Sequence, residues 1–425
     1  IKASIPVHLL RKKMESKLFT PCKLGPIELK NRTIRSAAFE NMAYNNMPSD
    51  DLFNYHTAVA KGGIGMTTVA YCAVNRSGVS FNGQLWMRPE IIPGLKKLTD
   101  SVHSYGAKAS IQLGHCGNMT HFYTCGCMPV GASGGFNLYS PTIVRALKED
   151  EIMELVKDFG RAVNMCREAG FDCVEIHAGH GYLISQFLSP YTNKRKDKFG
   201  GSLENRMRFM RLVLAEVMKA AGNDMAVVVK TNMYDGFKSG LQLPDCLTVA
   251  KAIEACGVHA IVLSAGFVSK APMHVMRGAM PLKTLAHYMN PWKFWWLKAG
   301  LAIVGRQMIP TVPFKEAYFL EDAKKFRAEL KLPLIYVGGL VSRAKIDEVL
   351  NSGFEFVQMA RALVHDTEFV NKLAASDENY RSGCKHSNYC IGRMYTLEMR
   401  CHHCVENMPK KLQKEIDNAE KTATF

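Results

Sequence analysis

Two histidines and a tyrosine stand close together in one short, glycine-containing stretch of the chain. His177, His180 and Tyr182 fall in the sequence HAGHGY. Two imidazoles can donate hydrogen bonds to a single carbonyl oxygen, and a nearby phenol can deliver a proton. The cluster therefore indicates a site that binds a carbonyl oxygen and acts as a general acid.

A second group of residues has the chemistry of an anion site. The tandem glycines Gly338-Gly339 let backbone N–H groups approach an anion closely, and Arg361 offers a bidentate fork for the same anion. Lys230 is a further cation, at the end of a run of three valines. It either neutralises an anionic cofactor ring, acts as a Schiff-base nucleophile, or forms a structural ion pair.

The elements that position these residues are short, β-branched apolar runs that alternate with amphipathic helical patterns. Such near-continuous apolarity is typical of strands buried on both faces of a parallel sheet. The eight runs are Thr33–Ala38, Met66–Ala70, Lys108–Leu113, Cys173–His177, Met225–Thr231, Ala260–Ser264, Leu334–Val337 and Phe356–Met359. Eight strand–helix units predict an α/β fold, a (β/α)8 TIM barrel.

In such a barrel the catalytic groups come from the carboxyl ends of the strands. The phosphate site is usually built by the loops after strands seven and eight, where Gly338-Gly339 and Ala360-Arg361 stand. The other polar groups at strand ends are Gln112 and His115 after the third strand, the HAGHGY stretch after the fourth, and Lys230 on the fifth. We therefore expect these groups at one mouth of the barrel.

We divide the chain into three parts. Residues 1–16 form an N-terminal extension that we expect to be disordered, residues 17–375 form the barrel, and residues 376–425 form a Cys-rich C-terminal tail. An insertion at about 266–333 separates strands six and seven, and it either packs extra helices on the barrel or provides a lid or partner surface. Its clustered aromatic residues are Trp292, Phe294, Trp295 and Trp296.

The composition restricts the class of protein. Apolar residues make up 47% and charged residues 22%, as in an ordinary globular protein. Thirteen cysteines, an odd number, favour reduced thiols in the cytoplasm over a disulfide framework. The net charge of +16 favours anionic small-molecule partners. Without a basic run interleaved with aromatics, or a long apolar run, we expect neither nucleic acid nor a membrane as a partner.

The stretch from His177 to Arg206, HAGHGYLISQFLSPYTNKRKDKFGGSLENR, closely resembles the signature of the Old Yellow Enzyme family of FMN-dependent NAD(P)H oxidoreductases. Further matching segments are Asn31-Arg32, IQLGHCG around Gln112, YVGGL around Gly338-Gly339, and Met359-Ala360-Arg361-Ala362. The resemblance runs from about Lys17 to Lys372. It is greatest to the bacterial-type branch that includes enoate and 2,4-dienoyl-CoA reductases.

This resemblance implies an activity and a role for each site residue. NADH or NADPH would reduce FMN, which would then reduce the C=C bond of an α,β-unsaturated carbonyl compound in a ping-pong reaction. His177 and His180 would bind the oxygen of the activated alkene, and Tyr182 would be the proton donor. The residues expected to bind FMN are Ala38, Gln112, Lys230, Gly338, Gly339, Ala360 and Arg361. A homo-oligomer is compatible with these expectations.

The sequence departs from the family pattern at three places. Phe39 stands where some members carry a Thr or Cys that tunes the flavin, and where one branch has its flavin-linking Cys, so we expect no covalent attachment. The tail has Ser387 where the C-x2-C-x3-C run of cluster-bearing members requires a ligand. An iron–sulfur cluster, 4Fe-4S, is therefore not favoured, and we predict no metal-binding residue. Further domains like those of the dienoyl-CoA reductases are not expected, so nicotinamide would use the substrate pocket.

Three alternatives stay open. The first is an enoate or 2,4-dienoyl-CoA reductase-like enzyme with an iron–sulfur tail, whose candidate metal ligands are Cys384, Cys390, Cys401 and Cys404. The second is a class I aldolase that uses Lys230 on the same barrel. The third is a basic scaffold whose Trp-rich insertion binds a partner.

Overall fold

The computed structural model describes residues 16–137, 140–289 and 295–422. Residues 1–15 of the predicted N-terminal extension lie outside the described residues. The same holds for Trp292, Phe294 and the side chain of Trp296 in the predicted aromatic insertion.

Eight parallel strands close into a barrel. We number them β1 (Thr33–Arg35), β2 (Met66–Ala73), β3 (Lys108–Gly114), β4 (Cys173–Ala178), β5 (Ala226–Asn232), β6 (Ala260–Ser264), β7 (Leu334–Val337) and β8 (Phe356–Met359). Each strand pairs in parallel with the next, and β8 pairs with β1 to close the ring. The TIM-barrel prediction is confirmed, and each strand overlaps one of the predicted apolar runs, with bounds that differ by up to three residues.

Helices surround the barrel. Those that follow the strands are α1 (Asp50–Lys61), α2 (Ile92–Ser104), α3 (Glu149–Glu168), α4 (Leu203–Ala221), α5 (Leu243–Ala255), α6 (Leu320–Glu329), α7 (Arg343–Asn351) and α8 (Phe369–Ala375). Helix α1 begins after Ser49, whose hydroxyl accepts the N–H of Leu52 at 3.2 Å. Asp50 and Asp51 then place negative charge at the positive end of the helix dipole.

Shorter elements lie outside this repeat. The strands are Cys22–Leu24, Ile27–Leu29, Leu85–Trp86, Val130–Gly131, Gly135–Asn137 and Thr142–Ala146, and the helices are Phe122–Cys125, Leu183–Leu188, Pro272–Met276, Leu282–Tyr288, Trp295–Met308, Arg361–His365, Tyr389–Met394 and Lys410–Thr422. Single 3-10 turns lie at Lys17–Phe19, Tyr44–Asn46, Arg76–Gly78, Pro89–Ile91 and His402–Cys404. The hairpin formed by Cys22–Leu24 and Ile27–Leu29 adds Leu24, Ile27 and Leu29 to the apolar core inside the barrel.

The barrel interior changes from apolar to polar along its axis. Successive residues of a strand face opposite sides, so Cys173, Glu175 and His177 of β4 share one face. Cys173 belongs to the apolar cluster inside the barrel. Glu175 and His177, nearer the carboxyl end, are buried polar residues. The polarity gradient along one strand places the chemistry at the carboxyl-terminal mouth.

The insertion and the tail pack against each other. Glu415, in helix Lys410–Thr422, accepts the backbone N–H of Lys283 at 3.0 Å and that of Thr284 at 2.8 Å. This carboxylate caps the amino terminus of helix Leu282–Tyr288 in the insertion. The tail is therefore part of the packed structure.

All thirteen cysteines of the chain are free thiols in the structure. Within the described ranges, no helix has both the length and the apolar character needed to cross a membrane.

Candidate active site

A cavity of about 240 Å³ opens at the carboxyl ends of the barrel strands. The predicted site residues all line it: Ala38, Gln112, His177, His180, Tyr182, Lys230, Gly338, Gly339, Ala360 and Arg361. The structure thus brings the whole predicted set together, while the role of each residue stays a prediction. His115, also at a strand end, is not one of the lining residues.

The loop after β4 holds its rings in a defined arrangement. His180 has a φ of 59° and Gly181 a φ of 83°, both in the left-handed region. The side-chain oxygen of Asn232 accepts the backbone N–H of His180 at 3.0 Å and stabilises this strained turn. As a result the ring centroid of His177 lies 5.1 Å from that of His180 and 4.3 Å from that of Tyr182.

Burial sets the protonation states of these three groups. Burial, together with the charge of Lys230, lowers the pKa of His180 to about 3. Burial, then the charges of His180 and Lys230, holds the pKa of His177 well below its ordinary value. Burial raises the pKa of the Tyr182 phenol. Both imidazoles are therefore neutral and the phenol is protonated at neutral pH.

A buried carboxylate that the sequence analysis missed organises the floor of the cavity. The carboxylate of Glu175 accepts hydrogen bonds from Gln112 and from Gln358, each at 2.7 Å. Its Oε1 also lies 2.8 Å from Nζ of Lys230, which donates in turn to Ser36 at 3.3 Å. Burial lowers the pKa of Lys230, and the carboxylate opposes that shift. Of the three roles considered for Lys230, the structure therefore shows the structural ion pair, with Glu175 as the partner.

Strand register explains why these groups meet. In the parallel ladder Gln112 of β3 lies opposite Glu175 of β4, and His177 lies opposite Lys230 of β5. Because side chains alternate between faces, Glu175 and His177 enter the barrel as successive layers. The signal available in the sequence was a carboxylate between apolar neighbours in a fully buried strand.

The opposite end of the cavity has the backbone shape of an anion site. Gly338 has a φ of 148° and Gly339 a φ of 70°. A Cβ at Gly339 would lie 2.8 Å from the ring of Tyr318, so only glycine fits this turn. Arg361 stands beside it and donates to Oδ1 of Asn388 at 2.6 Å.

The tail closes the cavity on the side away from the barrel, which the sequence analysis did not predict. The ring of Phe39 stacks on Phe81 at 4.9 Å, and Phe81 meets the ring of Tyr395 edge to face at 5.7 Å. The backbone N–H of Met399 donates to the carbonyl of Glu40 at 2.7 Å and ties the tail to the loop after β1. Tyr395 and Met399 both line the cavity.

The sequence profile of the NADH:flavin oxidoreductase / NADH oxidase family matches residues 17–306. The chain belongs to this family. A 4,4'-dithiodibutanoate disulfide reductase of Rhodococcus erythropolis is 39% identical over 89% of this chain and 93% of its own length. An NADPH dehydrogenase of Listeria monocytogenes is 35% identical over 73% of this chain and 95% of its own length. The chain spans about half, 55%, of an NADH oxidase of Thermoanaerobacter brockii.

The fold agrees with that of solved members. The old yellow enzyme homologue of Zymomonas mobilis superimposes with a TM-score of 0.69 at 19% identity, over 96% of this chain and 100% of that chain. The predicted membership of the Old Yellow Enzyme family is confirmed, and the protein is an FMN-dependent NAD(P)H:flavin oxidoreductase. Membership is at odds with the aldolase and scaffold alternatives.

The residues of the cavity fit the FMN that the family implies. With its amide nitrogen bound to Glu175, Gln112 keeps an oxygen acceptor for a ring N–H, and Lys230 supplies a cation. Nδ1 of His177 is buried and has no hydrogen-bond partner among the described residues, as expected of a group that binds a ligand. Gly338, Gly339 and Arg361 supply the shape and charge for a phosphate.

Proposed function

We propose that this flavoenzyme is an ene-reductase, which reduces the C=C bond of α,β-unsaturated carbonyl compounds. The observation that carries the proposal is the placement of His177, His180 and Tyr182 side by side on the wall of the cavity. Two neutral donors and one protonated phenol are the groups that such a reaction requires. Gln112 and Lys230, on the cavity floor, supply the flavin side of the site.

Bound FMN would supply hydride transfer from NADH or NADPH to the β-carbon of the alkene. His177 and His180 bind the carbonyl oxygen, on which negative charge develops during the reaction. One preorganised donor of this kind lowers the barrier by roughly 3–4 kcal/mol. Tyr182 delivers its phenolic proton to the α-carbon and completes the reduction. Nicotinamide and alkene use the same cavity in turn, which gives ping-pong kinetics.

The cavity wall supports an apolar, ring-containing alkene as substrate. Phe39, Phe81 and Tyr395 form an aromatic side, and Met276 and Met394 add flexible apolar surface. Polar groups lie on the floor, at the phosphate end and in the cluster of His177, His180 and Tyr182. A cyclic enone satisfies both requirements, with one carbonyl oxygen for the histidines and an apolar ring for the wall.

The decisive experiment measures NADH and NADPH oxidation under anaerobic conditions with and without 2-cyclohexenone. We expect the enone to accelerate oxidation of the nicotinamide. One cyclohexanone should form for each NADH or NADPH oxidised. The double variant His177→Ala/His180→Ala should lose this acceleration and the charge-transfer absorbance that phenols produce with bound flavin. Retention of phenol binding by the double variant would argue against the oxygen-binding role.

A second candidate, reduction of an organic disulfide, is favoured by the disulfide reductase that shares 39% identity with this chain. In that reaction the hydride equivalent cleaves S–S, and two thiols form from one disulfide, one NAD(P)H and one proton. The leaving group is a thiolate, whose ordinary pKa of about 8.5 makes an acid catalyst unnecessary. Tyr182→Phe should therefore spare disulfide reduction and slow alkene reduction, which separates the two candidates.

A further inference from the structure

The tail holds two histidines and a glutamate whose ligand atoms converge. His402 and His403 lie in the 3-10 turn His402–Cys404, and Glu420 lies in the helix Lys410–Thr422. One ring nitrogen of each histidine and one carboxylate oxygen of Glu420 all lie within 4.8 Å of one another. The ring centroids of the two histidines are 4.0 Å apart. Three atoms that can each offer a lone pair therefore surround one small volume.

One carboxylate oxygen of this group is buried and has no hydrogen bond. Oε1 of Glu420 is shielded from solvent and accepts no hydrogen bond from any described residue. It lies 3.3 Å from Nε2 of His402, but the two atoms do not meet as hydrogen-bond donor and acceptor. A buried carboxylate oxygen without a donor is costly unless a cation binds it.

The separation of this pair of atoms is the one that a shared zinc ion produces. Zinc binds a histidine nitrogen at about 2.0–2.1 Å and a carboxylate oxygen at about 2.0–2.2 Å. In tetrahedral geometry these bonds place the nitrogen and the oxygen about 3.3–3.5 Å apart. The 3.3 Å between Nε2 of His402 and Oε1 of Glu420 is within this range. His403 is exposed, so its ring can turn toward the same ion.

The second ring nitrogen of His402 has a neighbour of its own. Nδ1 lies 3.5 Å from Oγ of Ser387. Metal-bound histidines usually hydrogen-bond an outer partner through their second nitrogen, which fixes the tautomer and the orientation of the ring. Ser387 would thus leave Nε2 of His402 available to an ion beside Glu420.

Lys385 approaches the group without occupying it. Its Nζ lies 3.9 Å from Oε2 of Glu420, whereas Oε1 is the oxygen beside His402. The Lys385 side chain is 60% exposed, so solvent and salt screen its charge. The ammonium therefore faces the second carboxylate oxygen and leaves Oε1 to an ion.

We propose that His402, His403 and Glu420 bind one zinc ion, with the fourth coordination position open to water. Two imidazoles and one carboxylate are a common ligand set of zinc, whereas Mg²⁺ and Ca²⁺ prefer oxygen ligands throughout. This inference departs from our expectation that no residue of the chain binds a metal. It does not depend on whether the enzyme reduces an alkene or a disulfide.

The ion would strengthen the packing of the tail rather than take part in reduction. Among the described residues that line the active-site cavity, none is one of these three ligands. The turn that carries the histidines follows Met399, which is bound to the loop after β1. The helix that carries Glu420 is bound to the insertion through Glu415. Zinc would join these two attachments, so its binding should raise the melting temperature of the protein.

The test titrates zinc chloride into the EDTA-treated holoenzyme, with binding followed by calorimetry. We expect one zinc per chain and a higher melting temperature, and magnesium chloride should cause neither. Loss of an outer partner weakens metal binding about 10–100-fold, so loss of a ligand in His403→Ala or Glu420→Gln should weaken it by at least about 100-fold. The matched variant Glu406→Gln changes an exposed carboxylate of the tail and should bind zinc as wild type does.

A second measurement uses the wild-type protein alone and avoids the risk that a variant fails to fold. X-ray absorption at the zinc edge should show nitrogen and oxygen at about 2.0–2.2 Å and no sulfur at about 2.3 Å. Sulfur bound to the zinc would assign the ion to the cysteines of the tail and overturn the proposal. Equal zinc affinity in His403→Ala, Glu420→Gln and wild type, or no zinc bound by wild type, would overturn it as well.

Discussion

Nζ of Lys230 lies 2.8 Å from Oε1 of Glu175, and both side chains are buried within the barrel. The same carboxylate accepts hydrogen bonds from Gln112 and Gln358, so each of its two oxygens has a donor. Lys230 and Gln112, which both line the cavity, are thus held in place by the carboxylate of Glu175. The properties of the floor should therefore depend on Glu175, although it does not line the cavity.

Replacing Glu175 by Gln should destabilise the holoenzyme and weaken its hold on FMN. Removal of one partner of a buried ion pair costs about 3–5 kcal/mol, because the remaining charge is left without compensation. The measurement is thermal unfolding followed by circular dichroism, with released FMN followed by fluorescence. The double variant Glu175→Gln/Lys230→Met should recover part of the lost stability, since the uncompensated cation is gone. An unchanged melting temperature in the single variant would contradict the pairing.

Tyr182→Phe should separate the two half-reactions. The variant keeps the ring, which packs edge to face on Tyr71 at 5.1 Å, and removes only the hydroxyl. Reduction of the flavin by NADPH should be unchanged, and alkene reduction should slow by about 10²- to 10⁴-fold. Stopped-flow absorbance of the flavin resolves both steps. Equal losses in the two steps would exclude the proton-donor role.

The pH profile of the wild-type enzyme tests the same residue. Burial raises the pKa of Tyr182, so the phenol stays protonated above the ordinary value of about 10. The rate of alkene reduction in single-turnover experiments should therefore hold constant through pH 10. A fall of tenfold per pH unit that begins near pH 8 would mean that a different acid donates the proton.

The barrel and the strand-end residues were predictable because their signals are local. An apolar run specifies a buried strand, and barrel topology then places the residues after every strand at one mouth. Glu175 was missed because its importance lies in the parallel register, which sets Gln112 and Lys230 beside it. The buried carboxylate is visible in its own strand, but its partners follow only from the pairing of that strand with distant segments.

The tail was unpredictable for another reason. Its position depends on Glu415 binding the insertion and on Met399 binding the loop after β1, both of which are contacts between segments far apart in sequence. The cysteine spacing indicated only that the tail lacks the C-x2-C-x3-C run of the cluster-bearing members. It could not indicate that Cys401 lies beside His365 of the barrel, because the two residues belong to different segments.

His115 should make the protein sensitive to acid. Its Nδ1 accepts the N–H of Gly117 and its Nε2 lies near the Ser77 hydroxyl, both at 3.0 Å, and burial lowers its pKa to about 3. The unfolded chain takes up a proton near pH 6.5, which the folded protein does not do until about pH 3. Stability is therefore lost as pH falls between these values, by up to about 1.4 kcal/mol per pH unit from this group.

His115→Gln should flatten this dependence. Urea unfolding at pH 7, 6, 5 and 4 measures the free energy of unfolding, and its slope against pH should be smaller in the variant than in wild type. The variant is expected to be less stable at pH 7, because two buried hydrogen bonds change, so the slope is the informative quantity. An identical slope would show that other groups dominate acid destabilisation.

Tyr395 should limit the size of the alkene that the enzyme accepts. Its ring lines the cavity from the tail side and packs against Phe81, so a bulky substrate must displace it. In Tyr395→Ala, kcat/KM should rise for a two-ring enone relative to 2-cyclohexenone, because the truncation adds space where the second ring would lie. Small substrates should bind more weakly, since loss of apolar contact in a pocket costs about 1–3 kcal/mol. Tyr395→Phe is the matched control and should retain the wild-type ratio, and the same change in kcat/KM for both enones in Tyr395→Ala would show that the tail does not set substrate size.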